Sequence, residues 1–453
     1  MPSPLDELRA RVADGSVRTV LLALPDMQGR LKGKRYPAGF FLDQLAGSSA
    51  EVCGYVLATD VDMRPLEGYG LASWSSGYAD LLLVPDPSTV RLLPGDDGCA
   101  LVLGDVRDQE GLPVEVAPRE VLRRQLDGLA ALGLTARIGL ETEFTVYRGT
   151  READGAVPVP VSAHNLDYAL SHSRPLAGYL RGLEESLAGS GLPLEAVKTE
   201  AASGQVEITF RYGEPMAAAD GHVLFKHLAR EVAHGHGLTP TFMAAPVTGV
   251  GNGLHVHLSL WRDGKPLFPG GAGNRAATSG PAGMSALAGQ AVAGLVDTVP
   301  QLMPLMLPQV NSYKRLVAGS FAPTRMTWGP DNRTCAVRVA GHGSGLHLEL
   351  RVAGADANPY LLAAASLAAC RYGIEQGLKP SAPLTGNAYE AVEAPLIPSG
   401  PSAGLGAFRE SRVARELLGE RVVRHYARAA EIEIEALAME VTDAERRRGL
   451  TRA

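Results

Sequence analysis

With 453 residues, 45% hydrophobic and 20% charged, the chain is long enough for two or three domains with sizeable cores, in the balance of a soluble globular protein. A formal net charge of −6 with no long basic run argues against nucleic acid or an anionic membrane surface as the main partner. Four scattered cysteines without a CxxC pair (Cys53, Cys99, Cys335, Cys370), a polar N-terminus and no apolar stretch of the roughly 20 residues that span a bilayer lead us to expect reduced thiols, a cytoplasmic location and no membrane.

In chain order, VRTVLLALPD (17–26) reads as a strand and the following residues to 37 as a hairpin with a basic rim. ADLLLVPD (79–86) and CALVLGDVRD (99–108) are further strands bounded by Pro, Gly and Asp. Residues 1–112 therefore read as one small domain, with a Pro-containing link into a second at 113–453. Leucines at 122, 126, 129 and 132 predict a helix over 119–133. Strands follow at 137–147, 204–210 and 253–261, and helices at 175–191 and 217–237. Strands and helices do not alternate as βαβ units, which favours α+β with an antiparallel sheet. LLAAASLAAC (361–370) predicts a buried helix, and 410–441 a helical, charge-laced tail. The stretch at 270–283 is Gly/Ala/Ser-rich.

Residues two apart in a strand share a face. This groups Glu141 with Glu143, Gln205 with Glu207, His255 with His257 and Ser259, and His347 with Glu349 and Arg351. Any one of these is commonly a solvated face or a pair of core histidines. Together with Glu200 they put acids and histidines on one face of four segments, opposite Leu, Val, Ile or Phe. Crowded carboxylates are costly to desolvate without cations, so a divalent metal site is the simplest explanation. Lys314, Arg315, Arg333, Arg338 and Arg351 add a cationic set suited to carboxylate and phosphate groups. Metal with arginine is the usual equipment of phosphoryl transfer. There is no GxxxxGK[ST] loop, and GVGNG (249–253) fits no phosphate-loop pattern.

LETEF (140–144), SGQVEITF (203–210), NGLHVHLSLW (252–261), NSYKRLVAG (311–319), NRTCAVR (332–338) and ELRVAGADANPYL (349–361) together resemble the glutamine synthetase family, in order and spacing. The resemblance implies a small N-terminal β-grasp domain before a glutamine-synthetase-like catalytic domain, whose curved antiparallel sheet is flanked by helices. It implies a homo-oligomer, commonly a dodecamer of two stacked hexameric rings with active sites between subunits. It further implies ATP as co-substrate, L-glutamate and a primary amine as partners, and two Mg²⁺ or Mn²⁺ per site. By position, Glu143, Glu200 and Glu207 match the ligands of one metal, and Glu141, His255 and Glu349 those of the other. His257 and Ser259 match nucleotide-side positions, as does Glu195. Arg315 and Arg351 match the residues that hold glutamate, with Gly251 and Gly253 in the glutamate-side loop. Arg333 and Arg338 match those on the transferring phosphate and ATP, which makes Arg333 and Arg315 the expected catalytic pair.

The chain departs from the family at the amine end. Phe321 stands where ammonia-using members carry a glutamate two residues after the Gly of the NSYKR segment. The acidic loop supplied by a neighbouring subunit is missing, with only Asp60, Asp62 or Glu67 as stand-ins. Val250 stands where an Asp-Asn pair is expected, and Lys198 and Thr199 replace two histidines. An apolar wall in place of an acid suits an amine with a carbon body. The expected activity is γ-glutamylation of an organic amine such as ethanolamine, a small amine or a polyamine. The alternatives are an ordinary glutamine synthetase using ammonia and a non-catalytic scaffold. Tyr389, near where some members are adenylylated, reads as an ordinary loop tyrosine.

Overall fold

The computed structural model of the chain describes residues 3–95, 98–149, 159–270 and 283–452, so most of the 270–283 stretch lies outside the described residues. Two sheets organise them. The first contains β1 (Thr19–Pro25), β2 (Leu31–Pro37), β3 (Ala50–Cys53), β4 (Asp80–Pro85), β5 (Arg91–Leu92) and β6 (Cys99–Arg107), in the order β2-β1-β6-β4-β3 with β5 on β6. β1 and β2 form the expected hairpin. Its turn is built by Asp26, which accepts from the Gln28 and Arg30 amides at 3.0 and 2.8 Å and pairs with the Arg30 guanidinium at 2.7 Å. β6 runs parallel to β1 and is buried along most of its length. Helix α1 (Pro4–Ala13) precedes this sheet, started by a Ser3–Asp6 capping box, and the short α2 (Ala38–Phe40) follows β2.

The second, curved sheet holds β7 (Thr135–Arg148), β8 (Val159–Pro160), β9 (Leu194–Thr199), β10 (Gln205–Phe210), β11 (Leu238–Thr241), β12 (Leu254–Arg262), β13 (Lys265–Pro266), β14 (Trp328–Pro330), β15 (Val337–Ala340) and β16 (His347–Leu350). Its main order is β14-β15-β16-β12-β7-β10-β9, with β8 and β11 on β7 and β13 on β12. The expectation of an antiparallel sheet needs one correction. β14 and β15 pair in parallel, because the chain returns through the 331–336 turn without reversing the strand direction.

Around this sheet lie α3 (Pro118–Ala131), α4 (Arg174–Gly189), α5 (Pro215–Gly235), α6 (Ala286–Thr298) and α7 (Pro359–Glu375). Then follow α8 (Pro401–Glu410), α9 (Arg412–Leu418), α10 (Glu420–Ala438) and α11 (Asp443–Gly449). α7 is the alanine-rich helix read from the sequence, and it is buried nearly all round. It packs against α6 through Gly294 and Gly373. A Cβ at either position would fall 2.1 Å from a backbone oxygen of the other helix, so no side chain fits there. The tail is broken rather than continuous, because Ser411 caps α9 and Gly419 (φ 91°) ends it in a conformation that strains other residues. The buried Arg119 of α3 joins the two sheets' surroundings, bonding Asp105 of β6 (2.8 Å), Asp86 (2.9 Å) and Asp220 of α5 (3.1 Å). None of the four cysteines is in a disulfide.

Candidate active site

The site is a product of strand register. Residues directly opposed in antiparallel strands point to the same face, so adjacent strands build rows of side chains. One row runs Lys198 (β9), Glu207 (β10), Glu143 (β7). The next pairs Glu141 (β7) with His255 (β12). A third runs His257 (β12), Glu349 (β16), Arg338 (β15). The opposite faces carry Leu140, Thr142, Phe144, Val206, Ile208, Val256 and Leu348, all buried, and these pin the register.

Two acidic sets emerge. In one, Glu143, Glu200 and Glu207 bring their ligand atoms within 4.8 Å of one another; in the other, Glu141, His257 and Glu349 do so. Glu200 joins the first set from the turn after β9, where its amide bonds the Gln205 carbonyl. Lys198 caps this set, hydrogen-bonding Glu200 and lying 3.7 Å from Glu207. Burial, and then the charge of Glu141, push the Glu207 carboxyl up to about 9. Burial would also raise Glu141, but its hydrogen bond with His255 and the nearness of His257 override it and hold the carboxyl far below its usual range. Burial of Glu349 is likewise overridden, first by Arg351 and then by the two histidines, which bring it to about 2.

These residues fit divalent cations. Two convergent carboxylate sets sit on a rigid sheet, and the buried His257 Nε2 has no hydrogen-bond partner although it lies 3.5 Å from Glu141. The sequence reading put His255 in the second set and His257 toward the nucleotide. The geometry brings both rings to these acids. His257 Nε2 lies 3.5 Å from Glu141, and His255 Nδ1 lies 2.6 Å from Glu141 and 3.5 Å from Glu349, with its Nε2 3.3 Å from Arg315.

On one side of the acids lies the second cationic group. Arg315 is 4% exposed and donates to the Arg351 and Val352 carbonyls at 3.1 and 3.2 Å. Arg351 pairs with Glu349, and its buried Nε has no partner. The Gly253 amide donates to Glu143 at 2.6 Å, and Gln205 donates to the Gly251 carbonyl at 2.8 Å. A Cβ on Gly253 would fall 2.5 Å from Arg315 Nη2, and one on Gly251 would fall 2.7 Å from Arg315 Cγ, so both glycines make room for that guanidinium. Lys314 is exposed, unlike the buried Arg315 that follows it. Phe321, 59% exposed at φ 59°, tops the loop that follows Arg315.

On the other side opens a cleft of about 560 Å³, lined by Glu141, His257, Ser259, Glu195 and Arg338 among others. Arg338 pairs with Glu349 at 2.9 Å. Arg333 is exposed on the β14–β15 turn, outside the residues that line this cleft. The sequence reading missed Tyr212 and Trp261, whose rings stack 6.5 Å apart on the cleft wall. Trp261 was within reach, because it continues the His257, Ser259 alternation, and its indole donates to Ser259 at 2.9 Å. Tyr389, read as an ordinary loop tyrosine, lies in the Ala388–Glu390 turn. Its hydroxyl bonds the Ala322 carbonyl at 3.1 Å and feels the charges of Arg351 and Arg315. Asp60 does not join the acids, since it closes its own loop on the Asp62 and Arg64 amides at 2.9 Å each. Asp62 faces Arg64 (3.4 Å) and Glu67 accepts from the Trp74 amide (3.1 Å). Among the described residues no helix is long and apolar enough to cross a membrane.

Residues 115–449 match the family described as glutamine synthetase, catalytic domain. The gamma-glutamylethanolamide synthetase GlnA4 of Streptomyces coelicolor is 42% identical over 100% of this chain and 96% of its own length. The glutamate–isopropylamine ligase of a Pseudomonas species is 34% identical over 93% of this chain and 92% of its own. The glutamine synthetase of Thermus thermophilus is 32% identical, covering 92% of each chain. Among solved structures, a GmaS/ADP complex superposes with a TM-score of 0.84 at 29% identity, over 98% of this chain and 99% of that one.

Proposed function

The chain belongs to the glutamine synthetase family and is a ligase, and from that premise we propose that it joins the γ-carboxylate of glutamate to an organic primary amine at the expense of ATP. A carboxylate is a poor acyl donor. Transfer of the γ-phosphoryl group of ATP to a γ-carboxylate oxygen releases ADP and leaves an acyl phosphate. The uncharged amine then attacks the carbonyl carbon, the C–O bond to phosphate breaks, and the amine nitrogen loses a proton.

In this reading Glu143, Glu200 and Glu207 would hold one divalent cation, and Glu141 and Glu349 with an imidazole of β12 the other. Such cations, when bound, supply positive charge against the phosphates. Arg351 and Arg315 orient the glutamate carboxylates, and Gly251 and Gly253 let the guanidinium of Arg315 approach. Arg338 and Arg333 offset charge on the transferring phosphoryl group. Ser259, Glu195 and the Tyr212–Trp261 pair shape the nucleotide cleft. The rings of subunits implied by the family belong to the same reading.

One observation carries the choice of amine. The loop from Leu316 to Ala322 contains no acid and presents Phe321 exposed at its crest. Ammonium needs close carboxylates to bind and lose a proton, whereas an amine with a carbon body gains contact with a ring. The curated relatives support the same class, since two of them are named for ethanolamide and isopropylamine products. The test is glutamate-dependent ATP hydrolysis across ammonia, ethanolamine, short alkylamines and polyamines. We expect a short organic amine to give the highest kcat/KM. Ammonia as the best substrate overturns the amine choice, and no turnover with any amine overturns the ligase reading.

A further inference from the structure

The loop that follows Arg315 adopts a conformation that its own residues do not favour. Phe321 sits at φ 59°, two residues after Gly319 at φ 83°. Left-handed backbone suits glycine but not a bulky side chain, so it persists where neighbours impose it. Inside the loop, Ser320 bonds the Val317 carbonyl at 2.7 Å. From outside comes Tyr389, which is half-buried in the Ala388–Glu390 turn. Its hydroxyl donates to the carbonyl of the buried Ala322 at 3.1 Å and lies close to the Phe321 and Gly319 amides. The turn beneath the tyrosine is fixed in its own right. Asn387 accepts from the Tyr389 amide (3.1 Å), Thr334 Oγ1 accepts from the Ala388 amide (2.9 Å), and Asn332 Nδ2 donates to the Gly386 carbonyl (2.8 Å). Asn332 and Thr334 belong to the turn between β14 and β15, so Tyr389 stands on the sheet and reaches to the loop. Arg325 and Met326 bond carbonyls of residues 392–395, which holds the chain beyond Ala322. The tyrosine hydroxyl bears directly on residues 319–322.

We propose that Tyr389 is a positioning residue for amine selectivity, whose hydroxyl pins the 319–322 turn in the left-handed conformation that presents the Phe321 ring to the amine. The inference rests on the organic-amine ligase reading above. With the bond made, the ring is offered in one place. Without it the turn relaxes toward conformations that carry the ring away, and an amine with a carbon body loses a contact that ammonia never had. The net worth of one hydrogen bond corresponds to a shift of about two- to tenfold in such an equilibrium.

The test is steady-state kinetics with ethanolamine and with ammonia on wild type, Tyr389→Phe, Phe321→Ala and the double variant. Tyr389→Phe keeps the ring and removes the hydroxyl. The ratio of kcat/KM for ethanolamine to that for ammonia should fall about three- to tenfold, while the KM values for glutamate and ATP stay within about twofold. Because the tyrosine acts through Phe321, the double variant should show no lower ratio than Phe321→Ala alone. Tyr389→Leu, which also lacks the hydroxyl, carries the same expectation should the phenylalanine variant not fold. An unchanged ratio overturns the inference, as does an equal loss with both amines or an additive double variant. A wild type that prefers ammonia overturns the amine reading itself, and that outcome is visible before any variant is compared.

Discussion

Tyr389 donates its hydroxyl hydrogen to the Ala322 carbonyl at 3.1 Å, and this bond ties the segment after β16 and α7 to the loop that carries Phe321. Arg325 adds a second tie through the Val392 and Ala394 carbonyls at 3.1 and 2.8 Å. The loop is therefore held while Phe321 sits at φ 59°, a conformation that costs a bulky residue about 1–2 kcal/mol. Such strain persists where the surroundings impose it.

Phe321→Glu restores an acid and removes the ring. The ratio of kcat/KM for ethanolamine to that for ammonia should fall by about tenfold or more, since one or two lost apolar contacts are worth about 1–3 kcal/mol in discrimination. The KM for glutamate should stay within twofold, because Arg315 and Arg351 are untouched. Steady-state kinetics with both amines check this, and an unchanged ratio would show that Phe321 does not border the amine.

Arg351 holds Glu349 with one nitrogen and leaves a buried Nε without a partner. A donor in that position waits for an anion. Arg351→Lys keeps the charge but loses the fork, so it should raise the KM for glutamate about tenfold, a loss of about 1.4 kcal/mol within the usual worth of a charged hydrogen bond. The KM for ATP should change little. An equal rise in both would place Arg351 on the nucleotide instead.

Three carboxylates crowded around Lys198 make the cation-free protein less stable than the loaded one. Saturating Mn²⁺ at about 100 times its Kd should add about 2.7 kcal/mol per site and raise the Tm accordingly. A chelator should reverse the rise. Glu200→Gln should lose part of it, and its chelated Tm should lie below that of wild type, because the carboxylate paired with Lys198 is gone. A full Mn²⁺ shift in this variant would remove Glu200 from the ligand set.

Much of this was legible because the sheet converts sequence into position by a period of two. Once Leu140, Thr142 and Phe144 are read as one face, Glu141 and Glu143 must lie on the other, and the same holds around His255, His257 and Glu349. What the second ring nitrogen of each histidine meets was not legible, because its partner comes from a distant part of the chain. Those partners, Arg315 and His347, lie 60 and 90 residues away in sequence. The bond that Tyr389 makes was not legible for the same reason, because its partner Ala322 is 67 residues distant and carries no side-chain signal. The parallel β14–β15 pair escaped because a three-residue strand has too little pattern to state its direction.

His425 of α10 reports on the contact between the C-terminal helices and the first sheet's loops. Its ring lies 4.7 Å from that of Tyr69, it is 4% exposed, and its Nε2 has no partner. Burial, only partly offset by a backbone bond at Leu57, lowers its pKa to about 4. The unfolded chain takes up this proton near pH 6.5, whereas the folded chain refuses it down to about 4. Above pH 6.5 both states are neutral there and stability does not depend on this group. As pH falls from about 6.5 to 4 the unfolded state gains protons and stability is lost, by about 3 kcal/mol over the full window. His222, buried and also depressed, adds to the same acid limb. His425→Gln cannot take up the proton, so its stability deficit relative to wild type should shrink between pH 7.5 and pH 5. Denaturant unfolding at the two pH values measures this directly. A deficit that stays constant would mean that His425 is protonated, or open to water, in the folded protein, and that α10 does not seal against Tyr69 in solution.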